Sequence, residues 1–409
     1  MSEVHPFRAH RFARDLAERL APPYDVISAP ERERLAAEPE NVVHLTLPEG
    51  PEGERDYAAA AQTLEAWCQQ GVLERDPAPA LYPLVEETAP GRFRRGFFAA
   101  LRLADYKEGI VLPHERTMTG PKRDRLLLTR EVRANLEPLF FVYEDENGEV
   151  DAALQAAADA APLAVCRALD GIPLSLFGVE SSAAIEQVRS LLAARPLVIA
   201  DGHHRYETML RYRDECRERA GSRSDPDAGY EFVLAYLANA SDPGTEIRPI
   251  HRVIEASDAD PAAALATLGF AIEPLAGGAA NPEIAAALRE LAGRRADQHA
   301  YLVCLPDGRK LLASRPRGEQ LDVAVLHQEL LPLLGGRVRF DSRPERALAS
   351  VERGEAVLAL LQNPVTPEEL FRVVRSGEVL PQKSTFFAPK VPSGLVLRRM
   401  QESAARARD

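Results

Sequence analysis

The residues best suited to chemistry are Asp201–Arg205, which read DGHHR and directly follow the apolar run Pro196–Ala200. The run predicts a short buried strand, and the residues after it predict a helix. In α/β proteins, ligands bind beyond the C-terminal ends of strands, where the first N–H groups of a helix can hold an anion. An acid, two histidines and an arginine at such a turn therefore predict a ligand site; the alternative is a capped helix with surface imidazoles.

Each residue of this turn has a predicted role. Gly202 permits a tight backbone, and Arg205 can bind a phosphate through two parallel hydrogen bonds. His203 and His204 can donate hydrogen bonds or transfer protons. Asp201 can cap the helix, act as a base or bind a metal ion. We therefore predict a catalytic role for Asp201, His203 and His204, cofactor binding by Gly202 and Arg205, and metal binding by Asp201.

The segment Pro381–Lys390, PQKSTFFAPK, places a lysine and two hydroxyl groups beside aromatic residues. Ammonium and hydroxyl groups suit an anion. We therefore predict that the cofactor also contacts Lys383, Ser384, Thr385 and Lys390. No G-x-x-x-x-G-K pattern precedes them, so a P-loop is excluded. The alternative is a solvated turn before an edge strand.

A polar loop, Pro113–Thr117, lies before a basic helix that ends near Asn135. Binding and catalytic residues are often carried by loops of this kind. We predict an acid or base role for Glu115, and substrate contacts from His114, Arg116, Arg133 and Asn135. The alternative is an ordinary solvated loop.

Two shorter segments complete the candidates. Two prolines stiffen the chain before Tyr24 and Asp25, which predicts a substrate contact and a catalytic carboxylate at fixed positions, or simply a rigid chain entry. His251 and Arg252 lie inside an apolar run, where a buried arginine needs a partner. We predict that both contact the cofactor, although such a histidine can also be a satisfied core residue.

Strand-like and helix-like stretches alternate through most of the 409 residues. This pattern predicts an α/β to α+β fold with mixed sheets and covering helices. Residues 81–87 and 93–103 predict a β-hairpin, 139–143 a buried strand, and 25–28 and 42–45 short strands. A composition change predicts an N-terminal α/β domain at 1–255 that holds the candidate active site, and a smaller C-terminal α/β domain at 256–400. The second domain contributes Lys383–Thr385, called the KST segment below, and a tail follows at 401–409.

Composition limits the partners. The net charge is −12, from 50 basic and 62 acidic residues, which disfavours broad nucleic-acid binding. Four scattered cysteines, the lack of a signal sequence and the lack of a long apolar run predict a cytoplasmic protein without a membrane partner. The composition is also compatible with a homo-oligomer.

The chain resembles the family called domain of unknown function 1015. The matching words run in order from residue 5 to residue 390 and include HPFRA, APPYDVIS, PHERT, RANLEPLFFVY, IADGHHRYET, PIHRV and PQKSTFFAPK. The resemblance covers nearly the whole chain, but this family has no settled activity to transfer.

The DGHHR word alone resembles the phosphate-binding turn of the ParB, sulfiredoxin and free serine kinase superfamily. This resemblance implies that residues 201–205 hold nucleotide phosphates in the N-terminal part of the chain. It also implies an upstream acid that activates an acceptor hydroxyl, for which Asp25 and Glu115 are candidates.

Three hypotheses follow. The first is a phosphotransferase that uses ATP or ADP with Mg²⁺ and acts on a small polar metabolite, with free L-serine the first substrate to test. The second is a metal-dependent hydrolase or lyase, whose ligands would be Asp201, His203, His204, His251 and His114. The third is a non-catalytic, nucleotide-binding regulatory module.

Overall fold

A computed structural model describes residues 1–50, 53–115, 120–158, 161–275 and 281–401. The chain divides into two compact units. Unit 1 comprises Met1–Pro113, Thr117–Glu246 and Pro389–Asp409, and unit 2 comprises His114–Arg116 and Ile247–Ala388. The sequence predicts a boundary at residue 255 between two domains. These compact units do not test that boundary, which stays a prediction.

The strands are β1 (Val4–His5), β2 (His10–Phe12), β3 (Leu73–Arg75), β4 (Tyr82–Ala89), β5 (Arg92–Arg102), β6 (Val111–Leu112), β7 (Ala134–Asn135), β8 (Leu139–Tyr143), β9 (Ala164–Arg167), β10 (Pro173–Leu176), β11 (Leu197–Asp201), β12 (Phe232–Asn239), β13 (Glu246–Pro249), β14 (His251–Ile254), β15 (Ala271–Leu275), β16 (Gln298–Cys304), β17 (Lys310–Pro316), β18 (Val338–Asp341), β19 (Leu358–Gln362), β20 (Thr385–Ala388) and β21 (Arg398–Arg399). The α-helices are α1 (Leu16–Arg19), α2 (Ala29–Ala36), α3 (Val43–Thr46), α4 (Tyr57–Gln69), α5 (Gly120–Val132), α6 (Glu149–Ala157), α7 (Ser182–Ala193), α8 (His203–Ala220), α9 (Pro261–Thr267), α10 (Asn281–Arg294), α11 (Asp322–Val325), α12 (Leu331–Leu334), α13 (Pro344–Glu352) and α14 (Pro367–Arg375).

Unit 1 is built on a nine-stranded mixed sheet in the order β6-β11-β8-β12-β5-β4-β10-β9, with β1 also paired to β5. β8 and β12 run parallel, as do β6 and β11, whereas β11 and β8 run antiparallel. Strands β8 and β12 are buried at every residue, so both faces of the sheet centre are covered. Helices α6, α7 and α8 pack one apolar stripe each on the same face. This packing fixes where α8 begins relative to the end of β11.

Unit 2 is built on a six-stranded sheet in the order β15-β17-β16-β19-β14-β18, in which every pair is antiparallel. Successive side chains of a strand face opposite sides of the sheet. Val253 accordingly packs with α10 and α13, and Ile254 with α9, α11 and α12. The unit is therefore a sheet between two helical layers.

The predicted mixed α/β class is confirmed, as are the hairpin of β4 and β5 and the buried strands β8 and β11. Two predicted strands are wrong. Residues 24–26 form a 3₁₀ turn, because Pro22 and Pro23 deliver the chain in a turn-compatible conformation. Residues 43–46 form helix α3, whose apolar side chains are buried against α4. A short apolar run fits either element, and packing decides between them.

Membrane insertion can be assessed on the helices within the described ranges. None of them combines the length and the apolar character that crossing a bilayer requires.

Candidate functional site

Strand β11 ends at Asp201, and helix α8 begins at His203, so Gly202 carries the turn between them. Gly202 has a φ of 94°, and a Cβ at this residue would lie 2.7 Å from Cδ2 of Leu139. A positive φ together with this close approach requires glycine. The turn therefore lies directly against strand β8, and the first turn of α8 follows from it.

Two cationic side chains converge on the carboxylate of Asp201. Arg205 donates from Nη2 to Oδ2 of Asp201 at 2.7 Å, and from Nη1 to the carbonyl oxygen of Pro138 at 2.8 Å. Lys390 forms an ion pair with Oδ1 of Asp201. Arg205 is 8% exposed, so it is screened little by solvent. Both carboxylate oxygens of Asp201 are thus occupied by cations.

Lys390 is positioned by a second buried ion pair. Arg94 donates from Nη1 to the carbonyl oxygen of the preceding residue, Pro389, at 2.5 Å. The guanidinium of Arg94 is itself held by Glu86 through bonds of 2.6 and 2.8 Å. Arg94 and Glu86 lie on the paired strands β5 and β4, so the hairpin anchors the chain next to Lys390.

The charge state of Asp201 follows from these partners. Burial raises the pKa of Asp201, but Lys390 and Arg205 outweigh burial and lower it to about 2. A carboxylate that is ionised and doubly paired is a weak base. Each of its oxygens already has one cationic partner, and these two positive neighbours oppose the approach of a metal ion. Its position instead fixes the two cations side by side.

A buried carboxylate that sequence reasoning missed lies beside Arg205. Oε1 of Glu137 accepts a hydrogen bond from the backbone N–H of Tyr24 at 2.9 Å, and Oε2 lies 3.8 Å from Nη1 of Arg125. Burial raises the pKa of Glu137, although Arg205 and Arg125 oppose the increase. The one sequence signal for it is an acidic residue shortly before the apolar strand β8.

The loop that carries Tyr24 and Asp25 reaches the same neighbourhood, as its predicted role requires. The guanidinium of Arg125 lies over the Tyr24 ring at 4.1 Å. Burial raises the pKa of Tyr24 to about 12. Asp25 is exposed, and its charge raises the pKa of both Glu137 and Arg205. The structure thus brings Tyr24 and Asp25 close to the turn at residues 201–205.

A cavity of about 50 Å³ lies between α5, α8 and the chain before β8. Its polar lining includes Arg125, Asn135, Glu137, Arg205 and Thr208. It is large enough for a few water molecules. Asn135 contributes to this lining, but its Oδ1 accepts from the N–H of Leu234 at 3.0 Å, so it also ties β7 to β12.

The two histidines open helix α8. His203 is buried, and its charge contributes to the low pKa of Asp201. His204 is half-buried, and its carbonyl oxygen accepts a hydrogen bond from Oγ1 of Thr208 at 2.7 Å. Of the two histidines, His203 is therefore the one whose charge acts on the carboxylate of Asp201.

Of the remaining predicted site residues, one lies elsewhere in unit 1 and another lies outside the described residues. Arg133 is exposed with a φ of 48°, and its carbonyl oxygen accepts from the N–H of Met400 at 2.9 Å. It does not belong to the cavity lining described above. Arg116, which was predicted to contact the substrate, lies outside the described residues.

In unit 2 the PHE and KST segments contact each other. Nε2 of His114 lies 2.7 Å from Oγ1 of Thr385, and Glu115 accepts from the backbone N–H of Lys383 at 3.0 Å. Ser384 donates to the carbonyl oxygen of Pro381 at 2.5 Å and is buried. Whether these residues serve the nucleotide stays a prediction, whereas Lys390, further along the chain, contacts Asp201.

The second unit also holds His251 and Arg252. Both are fully buried in strand β14, and Arg252 contacts His327. Burial and the charge of Arg252 lower the pKa of His251 to about 3, so this imidazole is neutral. Across the described part of the chain, no group of three or more His, Cys, Asp or Glu residues could hold a metal ion.

The fold and the turn define a mixed α/β protein in which a glycine precedes the helix and two cations pair with one carboxylate. The chain belongs to the family described as "Protein of unknown function (DUF1015)", whose model matches residues 4–330. No curated protein matches the chain.

Among solved structures, the chain is similar to a free serine kinase in complex with AMP, at 14% identity and a TM-score of 0.38, over 75% of this chain and 91% of that one. It is also similar to a mutant free serine kinase in complex with ADP, at 12% identity and a TM-score of 0.39, over 75% and 92%. A third is a conserved hypothetical protein from Pyrococcus furiosus, at 15% identity and a TM-score of 0.35, over 74% and 95%.

Proposed function

We propose that the protein is a nucleotide-dependent phosphotransferase that acts on a small polar metabolite. The observation that carries this proposal is the convergence of Arg205 and Lys390 on Asp201 at the start of helix α8. Two cations share one carboxylate there, and helix N–H groups lie at the same turn. Such a turn suits phosphate oxygens, which can accept from Arg205 and Lys390 while Asp201 keeps the two cations in place.

Phosphoryl transfer requires positive donors on the transferred group and a base near the acceptor hydroxyl. The acceptor oxygen bonds to the terminal phosphorus of the nucleotide, the bond to the bridging oxygen breaks, and the hydroxyl proton passes to a carboxylate. Glu137 suits this last role because burial raises its pKa and it lies near Arg205. Asp25 is the exposed alternative in the same neighbourhood.

A magnesium ion would neutralise charge between the phosphates when bound. The fit to Asp201 is poor, because both of its oxygens are already paired with cations. We therefore assign no ligand of this chain to Mg²⁺. The remaining contacts predicted from the sequence, including those of Lys383, Ser384 and Thr385 with the nucleotide, are kept as part of the proposal.

Nucleotide binding is tested by calorimetric titration with ATP, ADP and AMP, with Mg²⁺ present, on the full chain and on Arg205→Lys. The substitution keeps the charge and removes the two-point guanidinium fork, so affinity should fall about tenfold or more. Arg213→Lys is the matched control, because Arg213 is also buried on the same helix and bonds the carbonyl oxygen of Leu103. Unchanged affinity in Arg205→Lys, or no binding by the wild type, would overturn the proposal.

Transfer is tested separately, with free L-serine as the first acceptor and ATP and ADP as donors. Formation of a phosphorylated acceptor by the wild type supports the kinase assignment. Tight nucleotide binding without transfer to any polar acceptor would contradict the kinase assignment. It would favour the hypothesis of a non-catalytic, nucleotide-binding regulatory module.

A further inference from the structure

Arg252, in strand β14 of unit 2, is a fully buried cation. It donates to Nε2 of His327 from Nε at 3.1 Å and from Nη2 at 2.6 Å, and Nη1 bonds the carbonyl oxygen of Ile250. Within the described ranges, no carboxylate lies at salt-bridge distance from its guanidinium. Burial therefore lowers the pKa of Arg252 to about 9, with only Tyr301 opposing this. A buried charge without a counter-charge is costly, so its retention calls for a reason.

The contact with Arg252 determines the tautomer of His327. A guanidinium has no acceptor atom, so Nε2 of His327 must accept, and Nδ1 must carry the hydrogen of the neutral ring. Burial, and then the charge of Arg252, lowers the pKa of His327 to about 4, which keeps the ring neutral. His327 is half-buried, and Nδ1–H is a donor whose direction Arg252 fixes.

His327 lies in a π-helical turn, Leu326–Leu330, between helices α11 and α12. Such turns are rare and are frequently found at functional sites. Leu326 and Leu330 are buried in the core of the unit, so they hold the turn in place.

Two adjoining cavities of about 320 and 690 Å³ lie beside this turn. Ligand pockets are typically of this size. The smaller is lined by His327, Gln328, Val379, Leu380, Pro381 and Gln382, a set without a carboxylate. The larger shares four of these residues and adds charges of both signs, among them Arg372, Glu319 and Glu378. An acidic ligand group is therefore favoured in the smaller cavity.

We propose that unit 2 holds a separate small-molecule site, in which His327 binds an anionic oxygen group, a carboxylate or a phosphate. Nδ1–H of His327 donates to the anion, and Arg252 acts through the ring as a positioning residue. The bound anion supplies the counter-charge that Arg252 lacks. The two glutamine amides offer further polar groups, and the larger cavity receives the rest of the ligand. Every residue of this site belongs to unit 2, so the proposal does not depend on the phosphate turn at residues 201–205.

The test is two-bond ¹H–¹⁵N NMR of the full chain labelled on histidine, with the His327 signals identified from His327→Gln. The free protein should show the Nδ1–H tautomer. Sodium acetate and sodium phosphate, titrated at constant ionic strength against sodium chloride, should give a saturable shift with at least one of them. Acetate alone would indicate a planar carboxylate, and phosphate alone a tetrahedral anion.

The variant Arg252→Met should weaken this response about tenfold or more, because the charge that fixes and polarises the ring is gone. Arg102→Met is the control, since Arg102 also lies over an aromatic ring but is paired with Glu3 and belongs to unit 1; its response should equal that of the wild type. If Arg252→Met does not fold, Arg252→Lys replaces it in the test. In Arg252→Lys, the His327 ring should populate both tautomers.

Three results would overturn the proposal: an Nε2–H tautomer in the wild type, an equal shift with chloride, or an unchanged titration in the Arg252 variants. The same response in Arg205→Lys would show that it arises independently of the proposed nucleotide site. Failure of nucleotide binding and failure of this site are therefore distinguishable.

Discussion

At the scale of single residues, Asp201 acts as the counter-charge of two cations rather than as an isolated acid. Arg205 and Lys390 occupy its two oxygens, and its low pKa keeps it charged at every physiological pH. Removing a partner from a buried ionic group costs far more than the group contributes as a pair.

Asp201→Asn should therefore leave two neighbouring cations uncompensated and lower the free energy of unfolding by roughly 3 kcal/mol. Inorganic phosphate should restore more stability to this variant than to the wild type, because the anion replaces the lost charge. Thermal unfolding with and without phosphate measures both effects. Asp170→Asn, an exposed substitution, is the control, and equal stability of both variants would contradict this role for Asp201.

Asp151 gives a prediction about pH. Burial, followed by the charges of Asp242 and Asp145, raises its pKa from 3.8 to about 7. Between these values the unfolded chain is ionised while the folded one holds the proton, so stability falls as pH rises from about 4 to 7. Asp151→Asn should remove this loss, which amounts to at most about 4 kcal/mol.

The measurement is urea unfolding of the wild type and Asp151→Asn at pH 5 and pH 8. The variant should gain stability relative to the wild type at the higher pH. Parallel pH profiles of the two proteins would show that Asp151 titrates normally.

At the scale of elements, the strand–turn–helix from β11 to α8 depends on one glycine. Gly202→Ala should lower the free energy of unfolding by about 2 kcal/mol or more, because a positive φ and a Cβ clash with Leu139 act together. Gly109→Ala is the matched control, since Gly109 has a φ of 68° with open space around it. Urea unfolding compares them, and equal losses would mean that the contact with Leu139 does not matter.

The elements also show which features of the fold and the site could be predicted from the sequence. The turn at 201–205 could be predicted because its residues are adjacent and follow an apolar run that forms a buried strand. Glu137 could not be predicted as a site residue, because only the fold brings it to Arg205. The sequence predicts a strand where helix α3 lies, because an apolar run of four residues fits both elements and packing against α4 is a tertiary effect.

At the scale of the whole molecule, unit 1 is completed by a segment that follows unit 2 in the chain. Pro389–Asp409 belongs to unit 1 and carries Lys390 as well as strand β21, which pairs with β7. Arg398 is buried and bonds Oδ1 of Asn135 at 3.1 Å and the carbonyl oxygen of Gly229 at 3.0 Å. These contacts make the segment part of the core of unit 1.

Truncation after Ala388 should therefore destabilise unit 1 strongly, whereas truncation after Gln401 should leave its stability and nucleotide affinity intact. Limited proteolysis followed by mass spectrometry reports which unit opens. Cleavage within residues 1–246 should increase in the shorter chain alone. Equal resistance of the two truncated chains would show that unit 1 folds without the returning segment.

The return of the chain also orders events during synthesis. Residues 247–388 leave the ribosome before Lys390 does, so unit 2 is fully translated while unit 1 still lacks the cation that pairs with Asp201. A nascent chain that ends between residues 205 and 389 carries the whole DGHHR turn, yet the carboxylate of Asp201 has only one of its two partners. The charge arrangement at the turn is therefore complete only in chains that have been translated beyond unit 2.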